Sequence, residues 1–164
     1  MSRFEGPRPL AAADDITVFD SGEPEIDSWL RTRALRAEAS QTARTYVITD
    51  TSTGAVAGYC CLSPHSVNRG EVGGGWLARN APDPVPVILL GRLGIDRRHQ
   101  GQALGAALLK DALLKAIAAA RVIGARALLV HALNTGVIAF YERYGFRQLP
   151  GAAQTLYLPL DRLR

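Results

Sequence analysis

Cysteine is nearly absent from this chain: there are two, Cys60 and Cys61, and they are adjacent. Neighbours on an extended strand point to opposite faces, so the pair cannot build a disulfide framework. Inside the apolar run Val56–Leu62 they read as buried, inert thiols in a reducing compartment. No Cys/His grouping has the spacing of a zinc site, so no metal is called for. No uninterrupted apolar stretch approaches the ~20 residues of a membrane span. Met1–Leu10 holds charges and two prolines in place of the apolar core of a signal peptide. A cytoplasmic location without membrane attachment is therefore expected. Repeats, low-complexity tracts and interdomain linkers are also missing. With 48% hydrophobic and 21% charged residues, 164 residues suffice for one folded domain spanning 1–164 without staples.

Lysine is scarce too, and nearly all the basic residues are arginine, the side chain suited to bidentate phosphate contacts. The net charge of +4 is uneven, −3 over residues 1–90 and +7 over residues 91–164. Such asymmetry fits a polyanionic ligand, a nucleotide cofactor or a nucleic acid, and equally fits a solvated basic face.

The apolar pattern predicts a strand at Ile16–Phe19 and a helix at Glu25–Ala39 carrying Ile26, Trp29, Leu30 and Leu35. A hairpin follows, Thr45–Asp50 and Ala55–Leu62 around Ser52-Thr53-Gly54. The Gly- and Pro-rich stretch Asn68–Pro86 reads as a loop, and Val85–Ile95 as a strand buried on both faces. Gln100–Ile123 is the clearest helix, with Leu104, Leu108, Leu109, Leu113 and Ile117 along one side. Ala127–Ala132 is a buried strand, Thr135–Tyr144 a helix opened by Asn134 and stopped by Gly145, and Phe146–Gln148 and Thr155–Leu160 are closing strands. The fold class is α/β, a mixed central sheet with helices on both faces.

The junction Leu93-Gly94-Ile95-Asp96-Arg97-Arg98-His99-Gln100-Gly101-Gln102-Ala103-Leu104-Gly105-Ala106 carries the chemistry. A helix start presents N–H groups without internal partners and partial positive charge, and small residues let a phosphate approach them. Arg97 and Arg98 add charge beside it. A pyrophosphate site and an Ala/Gly-rich helix packed closely on a sheet both fit. A dinucleotide-binding turn and a P-loop do not, because GxGxxG and GK[ST] are missing.

Gln100-Gly101-Gln102-Ala103-Leu104-Gly105 resembles the [Q/R]-x-x-G-x-[G/A] signature of the GNAT acyltransferases, with alanine at the usual middle glycine. Alanine is expected to tolerate helical angles there. A second element, Asn134 through Phe140-Tyr141 to Gly145-Phe146, is similar to the family's N-x-x-x-x-x-F-Y-x-x-x-G-F. A closer likeness, including Phe19–Glu23, Ala43–Val47, Arg79–Val87 and Val130–Leu133, is to the GNAT toxins of bacterial type II toxin–antitoxin modules, which acetylate the α-amine of aminoacyl-tRNA.

The resemblance implies a GNAT fold with acetyl-CoA as cofactor. Main-chain groups of Leu93, Gly94 and Ile95 are implied for the pantetheine arm. The N–H groups of Gly101, Gln102, Ala103, Leu104, Gly105 and Ala106 are implied for the pyrophosphate, Asn134 for the region near the thioester, and Arg98, Gln100 and Phe140 as further cofactor-binding residues. Tyr141 is implied as the acid that protonates the leaving thiolate, a role its phenol pKa near 10 suits. No Glu or Asp stands out as a base, and His131 reads as a core residue. Arg31, Arg33, Arg36, Arg44, Arg79, Arg92, Arg143 and Arg147 are candidates for tRNA backbone contact. Trp29 and Trp76 read as anchors, and Trp76, following Gly73-Gly74-Gly75, is also a candidate for the aminoacyl end. Implied partners are charged tRNA, a ribbon-helix-helix antitoxin and a second copy of the chain. The alternatives are a GNAT enzyme for a small amine or protein N-terminus, and a non-catalytic module binding RNA or antitoxin.

Overall fold

A computed structural model describes residues 3–71 and 75–161. Gly73 and Gly74 of the glycine run lie outside the described residues. The chain divides into two compact units, Met1–Ser63 with Gly91–Ala112 and Pro64–Leu90 with Leu113–Arg164.

The elements in order are β1 (Phe4–Pro9), α1 (Pro24–Thr32), α2 (Ala34–Ser40), β2 (Arg44–Asp50), β3 (Val56–Val67), β4 (Val85–Ile95), α3 (Leu104–Ile123), β5 (Ala127–His131), α4 (Thr135–Arg143), β6 (Arg147–Gln148) and β7 (Thr155–Pro159). Among the described residues the strands form one mixed seven-stranded sheet of order β1-β2-β3-β4-β5-β7-β6. From β2 onward the elements follow the expected order, and the mixed sheet is that of the α/β class.

The first strand is a correction. Ile16–Phe19 forms no strand: only Asp15 makes an isolated bridge, to Ala55. Phe19 is instead 2% exposed in a core with Ile26, Leu30, Val47 and Tyr59. The strand at the edge of the sheet is β1, antiparallel to β2, with Phe4 opposite Asp50 and Arg8 opposite Val47. Glycine and proline obscure its alternation, and edge strands tolerate proline because they need fewer ladder bonds.

The helix expected at Glu25–Ala39 breaks at Arg33, whose φ of −125° is not helical. In the first unit β2 pairs antiparallel with β3, Arg44 opposite Leu62. Both cysteines of β3 are buried, and burial pushes the Cys61 thiol up to about 11, as expected of inert thiols.

In the second unit β5 runs parallel to β4, Ile88 opposite Leu128 through Leu90 opposite Val130, and antiparallel to β7. Ala127, Leu129, Val85, Val87, Leu77 and Tyr157 form its core. On α3 the buried positions are Leu104, Leu108, Leu109, Ala112 and Ala116, while Leu113 and Ile117 are half-buried. The buried stripe is thus turned toward Ala112 and Ala116. No helix among the described residues is long and apolar enough to cross a membrane.

Candidate active site

The junction at the end of β4 belongs to the first unit. Two glycines set the spacing there. A Cβ on Gly94 would lie 2.6 Å from Ile26 Cγ2 on α1, and one on Gly58 would lie 2.7 Å from Ile95 Cδ1. Beyond Ile95 the chain turns under the control of Asp96, which is 0% exposed. Its carboxylate accepts from the backbone N–H groups of Asp20 (3.0 Å) and Arg98 (2.9 Å), and from Arg98 Nε (2.8 Å) and Nη2 (3.0 Å). Burial alone would raise the Asp96 pKa, but the Arg98 guanidinium and the backbone donors outweigh it and hold it down at about 2.

The rest of the turn is tied down as firmly. The Asp96 N–H donates to Ala57 O of β3 and the Arg97 N–H to Asp20 O, both at 2.8 Å. Gln100 Nε2 donates to Ile95 O (3.0 Å) and Ser21 O (3.2 Å). His99 is buried with its Nε2 2.9 Å from Asp50 Oδ2 at the end of β2. Asp50 also accepts from Ser52 and Arg3, and these donors together hold its carboxyl well below the usual carboxylate range. The side chains of Arg98 and Gln100 therefore build the turn itself. Arg97 is near a carboxylate as well, its Nε 3.4 Å from Asp20.

The helix begins four residues later than expected. Gly101 (φ +81°) and Ala103 (φ +62°) lie in the left-handed region, which no helix accepts, so residues 100–103 form a turn ahead of Leu104. The alanine thus stands at a left-handed position, not the helical one expected of it. A Cβ on Gly101 would meet nothing within 4 Å, and residues 101–103 are exposed. The Ala107 N–H is bonded to Ala103 O at 3.2 Å. The N–H groups of Leu104, Gly105 and Ala106 belong to the first turn and have no intrahelical acceptor. Exposed, small-residued and rich in orphan donors, this turn fits a pyrophosphate.

The second unit carries the other signature. Asn134 caps α4, its Oδ1 accepting from the Val137 N–H at 3.1 Å. Tyr141 is 5% exposed, with its ring 5.2 Å from Phe140 and 5.3 Å from Phe146 between centroids. Gly145, with φ +94°, ends the helix.

His131 is a correction: it is exposed at the end of β5, not in the core. Its Nδ1 is 3.1 Å from Thr155 Oγ1, and its ring meets His65 edge-on at 6.2 Å. Partial burial and the neighbouring His65 both lower its pKa.

Of the candidate arginines, Arg31 donates to Phe19 O and Arg44 to Glu38. Arg92 lies 5.1 Å over the Trp29 ring and 3.9 Å from Glu25. Arg33, Arg36, Arg79, Arg143 and Arg147 are exposed, and among the described residues none is in an ion pair. Trp29 stacks on Tyr59, and Trp76 on Tyr157 with the Arg126 guanidinium 4.2 Å over its ring. Arg126 also donates to Trp76 O, Leu77 O and Arg79 O, fixing that segment. Sequence reasoning passed over Asp96, the Asp50–His99 pair, His65 and Arg126. Only Asp96 had a local signal, an acidic residue at the start of a turn.

The model of the acetyltransferase (GNAT) family matches residues 10–146. A tRNA-acetylating toxin of Mycobacterium tuberculosis (strain ATCC 25618 / H37Rv) is 45% identical over 150 residues, 92% of this chain and 89% of the relative. Among solved structures, AtaT complexed with acetyl-methionyl-tRNAfMet superposes with a TM-score of 0.84 at 30% identity, covering 98% of this chain and 95% of that one. A Tyr→Phe mutant of the AtaT toxin, bound to the C-terminus of the antitoxin AtaR and acetyl-CoA, gives 0.80 at 28% identity over 98% and 96% of the two chains.

Proposed function

This chain belongs to the acetyltransferase (GNAT) family, and from that premise we propose that it carries acetyl from acetyl-CoA to the α-amino group of aminoacyl-tRNA. On this reading it blocks translation as the toxin of a toxin–antitoxin pair. The observation that carries the proposal is the 45% identity, over nearly the whole of both chains, to a tRNA-acetylating toxin. The likeness to AtaT in complex with an acetylated aminoacyl-tRNA supports the same substrate class.

Acetyl-CoA supplies the acyl group as an activated thioester. The main chain of Leu93, Gly94 and Ile95 holds the pantetheine arm, and the N–H groups from Gly101 through Gln102, Ala103, Leu104 and Gly105 to Ala106 hold the pyrophosphate. Arg98 and Gln100 act by fixing that turn. Asn134 and Phe140 line the region near the thioester, and Tyr141 gives its phenol proton to the departing sulfur. An aminoacyl ester's amine titrates low enough to be neutral and nucleophilic near pH 7, where a lysine amine is almost wholly protonated. The exposed arginines meet the tRNA backbone.

The family match runs through both units, which supports reading them as one acetyltransferase domain. An antitoxin of the ribbon-helix-helix class, a homodimeric toxin and a cytoplasmic location, where charged tRNA is found, complete the proposal.

The test is acetyl transfer from radiolabelled acetyl-CoA to charged tRNA, with uncharged tRNA as control. We expect label on the charged pool alone, and a Tyr141→Phe rate ~10²–10⁴ lower with coenzyme A binding retained. Label on neither pool, with coenzyme A still bound, refutes the substrate. A Tyr141→Phe protein at the wild-type rate refutes the acid.

A further inference from the structure

The acid proposed above has no base to match it, because no carboxylate stands out on the central strands. The second unit holds one arrangement with the chemistry of a base. β5 pairs with β4 as far as Leu90 opposite Val130, and His131 is the next residue. On its other side β5 stays paired one step longer, His131 opposite Thr155 of β7. His131 therefore sits where β5 leaves β4 while its backbone is still fixed by β7.

Strand alternation puts it on the face of Ala127 and Leu129, the face packed with Leu77, Val87 and Tyr157. It is the exposed, titratable continuation of a row whose two preceding members are 0% exposed. Among the described residues the ring meets Thr155 on β7 and the imidazole of His65 on β3. Thr155 is 7% exposed, and its backbone is paired with that of His131.

We propose that His131 takes the proton from the acceptor amine, with Thr155 as the positioning residue that orients its ring. This rests on the acetyl-transfer reading above. With the ring proton on Nδ1, directed to Thr155 Oγ1, the lone pair is on Nε2. In the transfer the amine nitrogen bonds to the acetyl carbon and the carbon–sulfur bond breaks. The sulfur takes the Tyr141 proton, and the proton shed by nitrogen goes to Nε2. Solvent then returns a proton from imidazolium to phenolate, restoring both groups. Burial and the adjacent His65 disfavour the imidazolium, so the ring is neutral and able to accept at physiological pH.

The experiment is kcat/KM for acetyl transfer to charged tRNA from pH 5 to 8. It compares the full chain with His131→Gln, His131→Ala and Thr155→Val, with coenzyme A affinity and thermal melting measured on each. In the wild type we expect a lower inflection below 6.5, from His131, and a second from the amine. The same lower midpoint should appear in the NMR titration of the His131 ring. His131→Gln should lose the lower inflection and fall ~10²–10⁴-fold with coenzyme A binding intact. Free imidazole should restore part of the His131→Ala rate, which no purely structural role allows. Thr155→Val should fall less while keeping the inflection.

A His131→Gln protein that keeps both rate and inflection overturns the inference, as does a ring that titrates at or above 6.5. If the wild type leaves charged tRNA unlabelled, the substrate reading fails first and takes this inference with it. A labelled wild type beside an unimpaired His131→Gln sinks the base alone.

Discussion

Replacing Ala103 with glycine should make the protein more stable, although it removes atoms and creates helix-breaking flexibility at a helix start. The argument is local. Ala103 has φ +62°, where a Cβ crowds the following carbonyl at a cost of about 1–2 kcal/mol. The residue is exposed, so deleting its Cβ gives up no packing. Against that gain, glycine widens the unfolded ensemble and costs about 0.4–1 kcal/mol. The balance is a stabilisation of about 0.5–1 kcal/mol. For 164 residues the unfolding entropy near 60 °C is about 0.34 kcal/mol/K, so the midpoint should rise by about 1.5–3 °C. Differential scanning calorimetry resolves such a shift. Ala103→Val is the counter-test, since branching at Cβ deepens the crowding and should lower the midpoint. If Ala103→Gly melts at or below the wild-type temperature, the backbone at 103 does not sit where we describe it.

Asp96→Asn keeps the shape of the side chain and removes its charge, which should cost about 1–2 kcal/mol at pH 7, discounted because Arg98 is partly in water. The Asp96 pKa is depressed to about 2, so its contribution is fully present above the unfolded value near 4 and fades as pH falls through about 2. Urea midpoints of wild type and variant should therefore converge between pH 5 and pH 2, and a constant gap refutes the ion pair. Gly94→Ala drives a Cβ to 2.6 Å from Ile26 Cγ2 and should destabilise by about 1–3 kcal/mol in denaturant titration. At Gly70 nothing lies within 4 Å, so Gly70→Ala is the control, and equal effects at the two sites would refute the close approach of α1 to β4.

Element order was legible because burial imposes a period. The run Val85–Ile95 is apolar enough to be a strand covered on both faces, and its bounds are those of β4. What could not be read depends on partners distant in sequence. β1 is a strand because β2 lies beside it, not because Phe-Glu-Gly-Pro-Arg-Pro alternates. Ile16–Phe19 has strand-like composition, yet it feeds Phe19 into the core beneath α1 without a ladder. The pairing of His99 with Asp50, 49 residues apart, leaves no mark on either local sequence. The motif at 100–105 was visible, but its alanine could not be placed: side-chain pattern is silent about the sign of φ, and the left-handed turn shortens α3 by its first four residues.

The turn also changes what the basic charge means. Arg98 is paired at 2.8 Å with the buried Asp96, and Arg97 lies 3.4 Å from the exposed Asp20, so neither is a free charge pointed at a phosphate. On the proposed reading, affinity for a pyrophosphate at this turn would then fall mainly to the backbone N–H groups of 101–106, with Asp96 fixing the turn that presents them. Short-range hydrogen bonds of that kind feel salt weakly, whereas dispersed surface charges feel it strongly. Elsewhere, exposed arginines such as Arg33, Arg36, Arg143 and Arg147 stand in no ion pair among the described residues. The two polyanions in the proposed reaction would thus be held by different physics: the cofactor by preorganised backbone, the RNA by mobile side chains whose grip depends on counterion release. The same asymmetry would explain why Asp96, an acidic residue in the most basic part of the chain, belongs to the turn proposed for the phosphate: its charge goes into the geometry of the turn.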